Sequence, residues 1–141
     1  PGEFSLDARG RIRVRDDLSA LDAEGIFVAG DAAAPTDALP FQRMGCASAM
    51  PMGATAADNL AAWLQGRPTT PHRFAFWMQC VSLGRRAAVV QSVTPDDRPT
   101  ARVLTGRAAV LVKESVCRFV IGMLRAERTL GGAYRWPKGA A

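Results

Sequence analysis

Residues 25–31 read Gly-Ile-Phe-Val-Ala-Gly-Asp, a continuous apolar run closed at both ends by glycine and followed by a carboxylate. A run of that kind is expected of a strand buried on both faces. Such strands belong to parallel sheets, whose members return through helices and are assembled from several strand–helix units. This chain offers one such strand and one good helix after it, so the rest of the sheet is expected to belong to other sequence. It also holds no GxGxxG following a strand and therefore no complete dinucleotide-binding unit of its own. The chain reads as the C-terminal portion of a larger protein, with an α+β content.

The remaining elements follow from local pattern. In residues 6–14 a turn-forming Asp-x-x-Gly precedes alternating Ile12 and Val14, which predicts a short strand leaving a turn. Residues 32–40 contain Pro35 and Pro40 without periodicity and read as a loop. A helix is expected over 48–64, with Ser48 as its N-cap, Pro51 in its first turn and Gly66 closing it. Its small residues, Ala49, Gly53, Ala54, Ala56, Ala57 and Ala61, permit close approach of another backbone or a flat ligand. Residues 68–71, Pro-Thr-Thr-Pro, form a linker.

Beyond it, 73–81 and 87–93 flank the turn Leu83-Gly84-Arg85-Arg86 and predict an antiparallel hairpin, with 101–104 as a third strand. A long helix is expected over 107–128. Its polar positions Glu114, Arg118, Gly122 and Arg125 leave Val110, Leu111, Val116, Phe119, Val120, Met123 and Leu124 on a broad apolar face, which calls for a large surface to pack on. Two regions result, 6–66 and 67–141.

Composition narrows the classes. With 141 residues, 48% of them hydrophobic and 22% charged, the chain can bury a core without a disulfide or metal framework. Its longest apolar run, 108–112, is far below the roughly 18 residues of a membrane span. The formal charge of +5 is spread along the sequence, with only Arg11/Arg13/Arg15 and Arg85/Arg86 dense and no aromatic residues interleaved, so nucleic acid is not an expected partner. Cys46, Cys80 and Cys117 form neither a CxxC pair nor a zinc knuckle, which fits a reducing cytoplasm. Residues 1–7 have no basic or apolar leader pattern.

The chemistry converges on the end of the 25–31 run. A buried strand would deliver Gly30 and Asp31 to the carboxyl end of a sheet, where open α/β folds bind ligands. There Gly30 admits a ligand close to the backbone, and the Asp31 carboxylate accepts hydrogen bonds from polyol hydroxyls. The following helix is expected to begin near Cys46, and its free N–H groups favour an electron-rich edge such as a pair of pyrimidine carbonyls.

These residues resemble the second FAD signature of the two-dinucleotide-fold FAD oxidoreductases, in particular the type II NADH dehydrogenase-like members. Phe27-Val28-Ala29-Gly30-Asp31 matches the end of that signature, Ser82-Leu83-Gly84-Arg85 resembles the family's interface-domain turn, and 104–107 resembles the start of its C-terminal helices. The resemblance implies the last strand and helix of an FAD-binding Rossmann-type domain, followed by an antiparallel hairpin and a long C-terminal helix with an interface or dimerisation role. It assigns Asp31 to a ribityl hydroxyl, Gly30 to the ribityl-phosphate region, and the amides of Cys46 and Ala47 to the pyrimidine edge. It implies FAD as cofactor and NAD(P)H as electron donor in the full-length parent.

Its implied partners are the N-terminal remainder of the flavoprotein and a second copy, as a homodimer or a segment-exchanged oligomer. The isolated chain, lacking both nucleotide-binding halves, is expected to be inactive alone. A non-catalytic dimerisation or interaction module without bound cofactor is the competing expectation. Departures from the family are Leu21 where Thr is common, Glu24 in place of Pro, and Cys46-Ala47 in place of Ala-Gln, which leaves the electron acceptor open. The charged positions Lys113, Glu114, Arg118 and Arg125 argue against membrane docking of the last helix. His72, the one histidine, reads as a surface residue of the linker, and Cys80 and Cys117 as buried structural thiols.

Overall fold

The computed structural model describes residues 4–35, 42–132 and 134–138. It is α+β and divides into two compact units, Pro1–Arg73 and Phe74–Ala141. The division falls after Arg73 rather than after Gly66, because 69–72 is bonded back into the first unit. Asn59 Nδ2 donates to the Thr70 and Asp17 carbonyls, and the His72 amide donates to the Asp16 carbonyl at 2.7 Å.

In the first unit, β1 (Ile12–Val14) pairs in parallel with β2 (Ala33–Pro35), Ile12 opposite Ala33. Residues 25–30 do not form the strand their apolar run predicts. Phe27 makes only a bridge to Ser19, the Val28 amide donates to the Leu18 carbonyl, and Ile26 is 41% exposed. This segment is thus laid along 18–20 with one face buried. Gly30, at φ +67°, then turns the chain into a 3-10 turn, Gly30–Ala32, and the strand follows it.

The strand beside β1 instead buries Ala33 and Ala34, in the stretch that reads as a loop. Small side chains carry little strand propensity of their own, so only their place in the core gives them away. The expected loop's remaining residues, 36–40, lie outside the described ones.

Helix α1 spans Cys46–Leu64. It begins two residues ahead of the expected cap: Gly45 occupies the N-cap position and Ser48 lies inside the helix, buried. Pro51 therefore falls past the first turn, where it cannot supply the amide that would close on the Ala47 carbonyl. At the far end the Gly66 amide donates to the Trp63 carbonyl and the Arg67 amide to the Ala62 carbonyl, the paired bonds of a Schellman closure. Met52 and Ala56 of α1 join Val14, Leu18, Ala20, Val28 and Ala33 in the core of this unit.

The second unit contains the predicted hairpin and third strand, but the first strand begins at Met78 rather than at residue 73, since the Ala75 and Phe76 amides donate to the Pro137 and Pro95 carbonyls instead of to a neighbouring strand. β3 (Met78–Ser82), β4 (Ala88–Val93) and β5 (Pro99–Thr105) form one antiparallel sheet in that order. Ser82 pairs with Ala88 across the 83–86 turn. The register shifts between Gln91 and Val93 where β5 joins.

Helix α2 (Gly106–Leu130) lays its first turns on this sheet, where Ala109 packs with Ala88 and Val90, flanked by Val110 and Val112. The surface it meets is smaller than its apolar face calls for. Twenty-five helical residues run about 37 Å, whereas the six residues of β4 span about 20 Å. Phe119 and Leu124 lie beyond the packed turns, 55% and 60% exposed. Cys117 is exposed as well, and Cys80 half-buried, so the expectation of two buried thiols fails. Among the described residues no helix is long and apolar enough to cross a membrane.

Candidate functional site

The entrance to α1 is organised by one long-range bond. The Gly45 amide, one of the groups a helix start leaves unsatisfied, donates to Asp31 Oδ1 at 2.9 Å. The carboxylate is thereby fixed beside the positive end of the helix dipole. Asp31, Cys46 and Ala47 are all exposed. Among the described residues Asp31 Oδ2 has no other partner. The Ser48 and Ala49 amides already bond to the Gly45 carbonyl, which leaves those of Cys46 and Ala47 as the open donors of the first turn among the described residues.

Gly30 has a packing role that its place in the motif does not announce. A Cβ built there would lie 3.2 Å from Ala49 Cβ. Its missing side chain therefore lets the 3-10 turn sit against α1, and this contact brings Asp31 to the helix entrance. Asp31 is also not at the carboxyl end of a buried strand. It precedes β2, on the amino-terminal side of the parallel pair, because the chain turns at Gly30 before the strand begins. The four expected site residues are thus brought to one place, by a turn packed on a helix rather than by a strand end.

Behind the entrance lies a buried polar stripe along α1. Ser48, Thr55 and Asn59 are spaced to share the inward face of the helix, and all are buried. Asn59 is fully engaged: its amide donates to two carbonyls, while Oδ1 accepts from the Thr70 amide at 2.9 Å. Thr55 Oγ1 lies 2.9 Å from His72 Nδ1, and Gln42 Nε2 lies 3.4 Å from His72 Nε2.

His72 is 3% exposed, which reverses its reading as a surface residue. Burial strips water from the imidazolium and lowers its pKa from 6.5 to about 4, so the ring is neutral at pH 7. Gln42 presents N–H groups to the ring, which assigns the lone pair to Nε2 and the proton to Nδ1, donated to Thr55. Ser48 Oγ finds no partner among the described residues. These residues escaped the sequence reading. The signal that could have found them is a polar residue, Asn59, at helical spacing from Met52 and Thr55 on the face that must be buried.

A second polar cluster surrounds Asp17. Burial works to raise the pKa of this carboxyl, but hydrogen bonds from the Ser19 hydroxyl and amide and from Thr69 Oγ1 outweigh it and hold the group below its usual value. Arg15 next to it donates to the Ala20 and Leu21 carbonyls and so holds its own turn, while Asp17 also ties that turn to Thr69. Among the described residues no group of three or more His, Cys, Asp or Glu could hold a metal ion.

What the helix entrance offers a ligand is a carboxylate oxygen for a hydroxyl and two amides for an electron-rich edge. No protein-family model matches the chain, and no curated protein matches it in sequence at a significant level.

Proposed function

We propose that this chain is the C-terminal portion of an FAD-dependent NAD(P)H oxidoreductase, and that the entrance of α1 takes the ribityl and pyrimidine side of the flavin. The observation that carries this reading is the Asp31–Gly45 bond, which holds the motif's carboxylate and the Cys46 and Ala47 amides on one exposed surface. The residues fit that half of the group. Asp31 retains acceptor capacity for a ribityl hydroxyl, and the amides suit a carbonyl edge.

They fit no other part of it, since the chain has no glycine-rich pyrophosphate loop. FAD supplies the transfer of electrons from NAD(P)H to an acceptor, while the protein binds and orients it. In this reading Asp31 orients the polyol, the first turn of α1 receives the ring edge, and the donor site belongs to the remainder of the parent. The first unit is then the last strand and helix of a Rossmann-type domain. The isolated chain does not oxidise NAD(P)H.

A titration of FAD with the chain, followed by flavin fluorescence, tests the reading. Saturable quenching by the wild type, weakened at least tenfold in Asp31→Ala as expected for a lost charge-assisted hydrogen bond of about 1.5–3 kcal/mol, supports it. Equal affinity in the two proteins overturns it.

A second reading, a non-catalytic self-association module, is favoured by one observation: α2 leaves Phe119 and Leu124 exposed on a helix longer than the sheet it covers. Light scattering tests it, because a module requires a dimer in the absence of flavin, and a chain that stays monomeric removes this reading.

A further inference from the structure

We propose that His72 is a positioning residue for the entrance of α1. Its neutral imidazole would join the segment that enters the helix, at Gln42, to the helix's own buried face, at Thr55. The argument rests on the reading that this entrance is the ligand site, and on three anchors. The His72 amide is tied to the Asp16 carbonyl at 2.7 Å, so the backbone carrying the ring is fixed in the first unit. Nδ1 meets Thr55, more than two helical turns into α1 from Cys46, at 2.9 Å. Nε2 meets Gln42, three residues before Gly45, at the longer distance of 3.4 Å.

The ring thus spans from the helix interior to the stretch whose last member, Gly45, carries the bond to Asp31. Gly45 makes no side-chain cap, and Pro51 removes a bond from the second turn of α1. From outside, the Asp31 carboxylate holds the Gly45 amide, and the Gln42–His72–Thr55 line is a second tie, made to the stretch that leads into Gly45.

Burial makes the brace specific. The two ring nitrogens must play opposite roles, one accepting from Gln42 and one donating to Thr55, and only the neutral imidazole does both in one plane. Asparagine reproduces the reach of Nδ1 alone, and glutamine that of Nε2 alone. Each keeps one half of the line.

The test uses the full chain and two readouts. Backbone amide resonances of Gly45, Cys46 and Ala47 are recorded at pH 7 in wild type, Gln42→Met, Thr55→Val, the double variant, and His72→Asn. Both single variants are expected to displace these resonances, and the double variant to displace them no further than either single, the non-additivity of one connected line. His72→Asn, which retains the Thr55 half, is expected to match Gln42→Met.

The FAD titration run on the same proteins is expected to show roughly threefold to tenfold weaker binding in each. A residue that merely supports the fold lowers the melting temperature yet leaves the amides of the folded molecules where they were. Unmoved Gly45 and Cys46 resonances in Thr55→Val and His72→Asn overturn the proposal, whatever the melting temperatures do. A wild type that binds no FAD overturns the functional reading, and the amide shifts alone then decide the role of His72.

Discussion

Single residues of the first unit hold positions that local pattern does not disclose, and their energies can be ranked. His72 titrates at about 4 in the fold and near 6.5 when unfolded, because burial disfavours its charge. Between those values the unfolded chain binds a proton that the folded chain does not, so stability rises with pH through this window and is complete above it. Lowering the pH from 7 to 4.5 should cost about 2 kcal/mol through this residue, read as a falling urea midpoint. His72→Asn, less stable at pH 7, should show a flat midpoint over the same range, and an unchanged slope would refute the assignment. Asp7 does not interfere. Hydrogen bonds from the Arg11 amide, side chain and charge hold it at about 2, so its contribution is lost only as pH falls below the ordinary carboxylate range. Gly30 is the second test. Any Cβ there meets Ala49 and adopts a left-handed backbone, so Gly30→Ala should destabilise by roughly 1–2 kcal/mol in chemical denaturation. Asn59→Ala should cost more, about 2–3 kcal/mol, since it releases the Asp17 carbonyl and both backbone groups of Thr70 at once.

At the scale of elements, the second unit was the more legible. β-favouring residues in 87–93, turn residues at 83–86 and helical spacing beyond Gly106 are local signals, and β4, β5 and α2 lie within about two residues of where those signals put them, while β3 starts five residues later than expected. The first unit was less so, for two physical reasons. Ala33 and Ala34 are a strand because the core needs small residues opposite Ile12, not because alanine prefers extended backbone. The start of α1 is fixed by Gly45 and by a carboxylate fourteen residues earlier, and no window along the sequence contains both as neighbours. The candidate site was legible as four residues, Gly30, Asp31, Cys46 and Ala47, since the motif and the helix start are each local. Its brace was not, since Gln42, Thr55 and His72 meet only through tertiary packing. One element-scale prediction follows from the end of α2, where Glu127 accepts from the Gly132 amide at 2.6 Å and from the Tyr134 amide at 2.8 Å. A carboxylate in the last turn opposes the helix dipole, so these bonds must offset that cost. Glu127→Ala should speed hydrogen exchange of the last two turns of α2 and leave the amides around Ala109 protected. Equal exchange in the two proteins would mean that the tie contributes nothing.

For the whole molecule the question is what covers α2. Its apolar residues beyond the sheet cannot be satisfied by a three-stranded surface about half the helix's length, and exposed faces of this kind drive association. Charge decides between partners. Along α2, Arg107, Lys113, Arg118, Arg125 and Arg128 stand against Glu114 and Glu127, five cations to two anions, an excess of three positive charges. Two copies meeting through this helix bring like charges together, and their contact is otherwise apolar. Salt that screens the repulsion should therefore strengthen the dimer, since the Debye length falls from about 10 Å at 0.1 M to about 3 Å at 1 M. Binding to an anionic surface would respond in the opposite sense. We expect light scattering at micromolar concentration to report a mass above that of a monomer, rising as sodium chloride is raised. The double variant Phe119→Glu, Leu124→Glu should be monomeric at every salt concentration, with α2 still helical, because neither residue is buried in the chain's own fold. A wild type that is monomeric throughout would remove the self-association reading. It would leave the flavin reading to be judged on Asp31 alone, which is why the two measurements belong on the same preparation.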